Sequence, residues 1–182
     1  AREFLQGLVT NDVVGGLAPG SGLYTALLSP QGKILFDFLV TEGDGALLLD
    51  TARDTADALL KKLKMYRLRA RVDVELREPL GVYVNLAGHP ENRPTPYADR
   101  AITFTDPRLA ALGRRSIGAR AEMPANLPGP RAYHEHRIAL GVPEGADFGF
   151  EKTFALDAGL DELNGVSFTK GCYIGQELTS RM

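Results

Sequence analysis

Cysteine is almost absent: the 182 residues hold one, Cys172. An internal disulfide is therefore excluded, and a reducing compartment fits. Basic residues are not in surplus either, since 21 Lys and Arg face 23 Asp and Glu for a net charge of −2. A protein that grips nucleic acid carries a strong basic excess, so direct DNA or RNA binding is not expected. No apolar run approaches the roughly 18 residues that span a bilayer, so no membrane partner is expected. Walker, Rossmann and zinc patterns are missing, as are a fixed-period repeat and a visible signal or transit segment. Two of the few histidines, His134 and His136, are two apart; on a helix they point to different sides, which argues against a shared metal site.

What is present suits a folded chain: 44% apolar and 24% charged residues exclude disorder. Residues 3–9 read as a short helix broken by Thr10-Asn11-Asp12. Residues 23–28 and 34–41 read as strands joined by Ser29-Pro30-Gln31-Gly32-Lys33, and 46–49 as a third strand. Ala56, Leu59, Leu60 and Leu63 recur at helical spacing, behind Thr51 and Asp54 in a capping-box arrangement. Residues 69–76 alternate as a strand, with Val72, Val74 and Leu76 on one face. After Pro79 a second α+β region is expected, with strands near 81–85, 101–104 and 114–117 and a helix near 132–140. Residues 89–96 and 124–130 are proline-rich loops, and a polar helix begins near Ile174. The class is α+β, divided as 1–78, 79–160 and 161–182. Ala1 to Val9 already reads as helix and the last residues as a helix cut short, so a piece of a longer protein is expected.

The segment Lys170-Gly171-Cys172-Tyr173-Ile174-Gly175-Gln176-Glu177 resembles the K-G-C-Y-x-G-Q-E signature of YgfZ-type proteins, relatives of the glycine-cleavage T-protein. Phe4-Leu5-Gln6-Gly7, Thr10-Asn11-Asp12, Gly32-Lys33-Ile34-Leu35 and Tyr66-Arg67-Leu68-Arg69 extend the resemblance along the chain. It implies a T-protein-like folate-binding fold of two interleaved, ferredoxin-like α+β subdomains, with a β-barrel beyond Met182. It implies an accessory protein for [4Fe–4S] cluster assembly or repair, indirectly supporting tRNA thiomodification. The expected ligand is tetrahydrofolate or a derivative, and the expected partners are iron–sulfur assembly proteins and [4Fe–4S] client enzymes. The location would be cytoplasmic in a bacterium and the mitochondrial matrix in a eukaryote. Two departures from the T-protein stand out. Phe36-Asp37 replaces its Asp-Asp pair, and Ala139 stands where a pterin-contacting glutamate is found. These leave an enzymatic role open and count against aminomethyl or other one-carbon transfer. A non-catalytic, folate-stabilised docking module is the third reading.

Residue by residue, Cys172 beside Lys170 and Gly171 reads as a reactive thiol or transient cluster ligand, or as a small buried residue. One thiol cannot hold a cluster alone, since clusters normally take four protein ligands. Asp37 between leucines reads as a desolvated acid for a pterin ring or an ordinary surface acid; Tyr24 on the paired strand is either a stacking surface or core. Lys170 is expected to meet a folate tail or the thiolate. Tyr173, Gln176, Glu177 and Arg181 complete the expected folate site, the last two paired across one helical turn. Lys61, Lys62, Lys64, Arg67, Arg69 and Arg71 form a basic run: a solvated face, or a receiver for anionic groups.

Overall fold

The computed structural model describes residues 1–86, 101–122 and 129–179. The hairpin signalled by Ser29 to Lys33 forms: β1 (Gly22–Leu28) pairs antiparallel with β2 (Ile34–Gly43), which pairs with β3 (Ala46–Asp50). Phe36, Phe38 and Val40 join Leu23 and Leu27 on one face, under Leu59 and Leu63 of the helix α2 (Arg53–Tyr66) and the short α1 (Arg2–Gln6). Tyr24, Ala26, Leu28 and Leu39 lie on the other, against Phe104, Ile117, Phe148, Leu160 and Tyr173. Both faces are covered, which is why β1 reads as a continuous apolar run rather than an alternating one.

A second antiparallel sheet has the order β4 (Leu80–Asn85), β6 (Arg114–Ala119), β5 (Ile102–Thr105). It docks through Phe104 and Ile102, whose side chains fill the space over Gly22 and Gly43. The helix α3 (Pro130–Ala139) follows, opened by a proline in its first turn. The chain then returns to the first sheet. Ile34 exchanges backbone hydrogen bonds with Thr153 (2.9 Å) and Glu151 (3.0 Å), and Lys33 bridges Phe154. A last short helix, α4 (Gln176–Thr179), follows the signature loop. The class is α+β, and no barrel occurs among the described residues.

Several local expectations are corrected. The register slips between Leu27 and Leu28, so Leu35 joins Phe36 in the first core cluster while Ile34 joins the second; strict alternation begins only after that bulge. No capping box forms, because α2 starts after Ala52 without a side-chain cap, and Thr51 instead lies 3.5 Å from the Asp37 carbonyl. The strand expected over residues 69–76 does not form: residues 71–77 belong to no helix or strand, although Val72 and Val74 are half-buried. The proline-rich loops fall outside the described residues except for Gly129, Pro130 and their immediate helix.

Candidate functional site

The signature loop is anchored from below by the end of α1 and the turn after it. Thr10, fully buried, donates its hydroxyl to the Gly165 carbonyl (2.6 Å), and its own carbonyl accepts from the Ser167 N–H (3.0 Å). The Asn11 amide donates to the carbonyls of Tyr24 (2.8 Å) and Asn164 (2.7 Å). Lys170 is buried, and its ammonium donates to the carbonyls of Gln6 (2.6 Å), Val9 (2.6 Å) and Asn11 (2.9 Å). It therefore meets backbone, not the thiolate or a ligand tail as the sequence suggested. These carbonyls end a helix or line its exit, where a cation is favoured.

Burial lowers the Lys170 pKa to about 8, with the Asp12 carboxylate pulling the other way. Between that value and the ordinary lysine pKa of 10.5, the unfolded chain binds more protons than the folded one. Stability from this group therefore rises with pH across that window. Urea unfolding midpoints measured across it should climb less steeply in Lys170→Met than in the wild type; an equal slope would remove Lys170 as the cause.

The top of the loop is open. Cys172 is exposed, and a Cβ added to the neighbouring Gly171 would meet nothing within 4 Å. Tyr173 is buried in the second core cluster, with the Lys170 ammonium 5.0 Å from its ring centre. The Gln176 side-chain oxygen accepts the Tyr173 N–H (3.3 Å) and closes the turn. Glu177 is exposed, and Arg181 lies outside the described residues. Gly175 (φ +79°) packs on the β1–β2 turn so closely that an added Cβ would collide with the Ser29 carbonyl and lie 3.1 Å from the Cα of Gly32.

Tyr24 and Asp37 do come together. The Tyr24 hydroxyl donates to Asp37 Oδ2 (3.1 Å), and the Gly145 N–H donates to Oδ1 (3.0 Å). Burial raises the Asp37 pKa and pushes Tyr24 well above the usual phenol range, where the Asp37 charge adds to the effect. Tyr24 presents no stacking surface, however. It is fully buried, and its ring lies against Gly165 and 5.3 Å below the Arg108 guanidinium.

Beyond this pair lies an ion network that sequence reasoning missed. Asp106 accepts from Arg108 Nε (3.0 Å) and Nη2 (2.8 Å) and from Arg115 Nε (2.8 Å). Arg115 also reaches Asp50 (2.7 Å) on β3, and Arg108 reaches Glu144 (2.9 Å). The Tyr133 hydroxyl donates to Glu144 (2.6 Å) and accepts from both arginines. Burial alone would raise the carboxyls of Asp106 and Glu144. The arginine and tyrosine hydrogen bonds outweigh it, and both sit below their usual range. The network joins both sheets and α3. His134 and His136 take separate partners, Arg137 and the Ala111 carbonyl.

An open cleft of about 660 Å³ lies beside the signature loop, lined among others by Asn11, Asp12, Tyr24, Asn164, Ser167 and Phe168. Phe168 is 64% exposed there. Neither Asp37 nor Cys172 lines it. Among the described residues no group of three or more His, Cys, Asp or Glu could hold a metal, and no helix is long and apolar enough to cross a membrane.

The chain thus has an α+β scaffold with the K-G-C-Y-x-G-Q-E loop seated on its first hairpin, and its cysteine, which the sequence left open between exposed and buried, is exposed. The comparisons agree with the YgfZ-type resemblance. All of the chain aligns with the mitochondrial iron–sulfur cluster assembly factor IBA57 of Homo sapiens at 38% identity, covering 57% of that protein. The IBA57 homologue of Neurospora crassa is 30% identical over all of the chain, which covers 46% of it. The chain is thus a homologue of the IBA57 iron–sulfur assembly factors, and it spans about half the length of the curated relatives it matches. No family model matches. An aminomethyltransferase T of the glycine cleavage system from Bartonella henselae overlaps 37% of the chain and 19% of its own, at 25% identity and a TM-score of 0.34. At that score the fold rests on the chain's own sheets.

Proposed function

We propose that this chain serves iron–sulfur cluster assembly, with Cys172 presented to a cluster that a partner also ligates. The outward thiol on a loop held from below by Lys170 and Gly175 carries this reading, and the match of the whole chain to about half of the assembly factors' length supports it. A single thiol leaves the remaining cluster ligands to the partner. The clients would be [4Fe–4S] enzymes, including those of tRNA thiomodification, and in a eukaryote the site of action would be mitochondrial. Cys172→Ser should fold with stability within about 0.5 kcal/mol of the wild type, because the residue is exposed. In cells the same variant should lower [4Fe–4S] enzyme activity, and unchanged activity would refute a required thiol.

Tetrahydrofolate or a derivative is the proposed ligand. Its ring fits the cleft better than the Asp37–Tyr24 pair, whose hydrogen-bonding groups already serve each other and Gly145. The cleft's volume lies within the roughly 300–1,000 Å³ usual for organic ligands. Phe168 would stack on the pterin, while Ser167 and the Asp12 carboxylate offer polar partners. Titration calorimetry with tetrahydrofolate should show Phe168→Ala weakened by about tenfold or more. Equal affinity in that variant would sink the cleft assignment.

A further inference from the structure

The end of α2 and the segment after it carry features that the cluster reading does not use. Lys61, Lys62, Lys64, Arg67, Arg69 and Arg71 place six cations and no acid within eleven residues, in a chain of net charge −2. Arg67 finds an acid, Asp73, at 3.3 Å, and that carboxylate is fully exposed, so the pair is weak. Lys62 lies over the Tyr66 ring. The other four cations face no acid among the described residues. Two apolar side chains stand out among them: Leu68 is 88% exposed and Met65 56%. Leu68 is held at φ +41°, a left-handed conformation that a leucine adopts only at a cost of about 1–2 kcal/mol.

The next residues alternate in burial as a strand does, while belonging to no helix or strand. Val72 and Val74 are half-buried while Asp73 and Glu75 point out, and Val74 packs against the first core cluster. Among the described residues, no N–H from Arg71 to Leu76 makes a backbone hydrogen bond. A row of backbone donors and acceptors outside any ladder is completed by an added strand, which matches both. A phosphate-bearing polymer or a lipid headgroup matches only the donors. The neighbouring cations select the sign of that strand.

We propose that residues 61–76 form a docking edge for an extended acidic segment of a protein partner, added as a strand along 71–76, with its carboxylates on the Lys61–Arg71 cations and its apolar side chains on Met65 and Leu68. This surface is separate from the Cys172 loop and stands whether or not the cluster reading holds.

The test is fluorescence anisotropy on this chain, with a fluorescein-labelled peptide of alternating glutamate and valine about ten residues long. It should bind, weaken with added salt, and lose about tenfold or more of its affinity in the exposed-surface variant Lys61→Glu/Arg69→Glu/Arg71→Glu, whose circular dichroism should match the wild type. The same peptide N-methylated at alternate residues keeps its charge but loses its strand edge, and it too should bind at least about tenfold more weakly. No binding of the parent peptide, or equal binding of the N-methylated one, overturns the proposal. Tighter capture of an RNA oligomer or of phosphatidylserine vesicles, abolished by the triple variant, also overturns it, in favour of a polyanion surface.

Discussion

Replacing Gly175 by alanine will cost about 3–4 kcal/mol of stability, the sum of a backbone term and a packing term. The backbone term comes from φ +79°, which an L side chain resists. The packing term comes from the new methyl, which collides with the Ser29 carbonyl and lies 2.9 Å from the Leu28 Cβ and 3.1 Å from the Gly32 Cα. All three are backbone or backbone-fixed atoms of the hairpin, so none can swing away. Gly20→Ala separates the two terms. That glycine shares a positive φ (+72°) but has open space around it, so about 1–2 kcal/mol is expected there. Thermal unfolding of both variants checks the difference. Equal losses would mean the signature loop is not wedged on the turn.

The second large effect lies in the ion network. Asp106→Ala will leave two buried guanidinium groups short of their shared acceptor, and breaking a buried pair in this way costs about 3–5 kcal/mol. The lower end applies, because Arg115 keeps Asp50 and Arg108 keeps Glu144. For a chain of this size the melting temperature should fall by roughly 10 °C. The pH dependence follows from the direction of the shift. Asp106 sits below its ordinary value of 3.8 in the folded chain. Its contribution is therefore full above that value and is lost as pH falls through the folded pKa. The variant should show a shallower loss of stability on acidification than the wild type, seen by denaturant titration at several pH values. A parallel loss would assign the acid sensitivity elsewhere.

The contrast between these two features shows what a linear reading reaches. The hairpin was legible because its turn chemistry is local: Pro30 and Gly32 signal it without any partner. The α2 face was legible from the spacing of Leu59 and Leu63 alone, and both are buried. Asp106, Arg108, Arg115 and Glu144 were not, because isolated charges look like surface until the fold desolvates them together. Lys170 reads as a partner for a folate tail or the thiolate because its true acceptors, the carbonyls of Gln6, Val9 and Asn11, lie far away in the sequence. The alternation over residues 69–76 reads as a strand, but no strand forms there, because periodicity does not say whether a neighbour exists to pair with.

The first hairpin meets its last packing partners only when Gly165 reaches Thr10 and Gly175 reaches Ser29. At the ribosome that requirement sets an order. The amino-terminal sheet emerges early but leaves its second face and the Thr10–Asn11 turn unsealed until residues 165–175 have cleared the exit tunnel. Nascent chains would expose apolar strand surface until that point, the circumstance in which chaperone holding matters most. Contacts of such long sequence separation also slow the final closure of the fold.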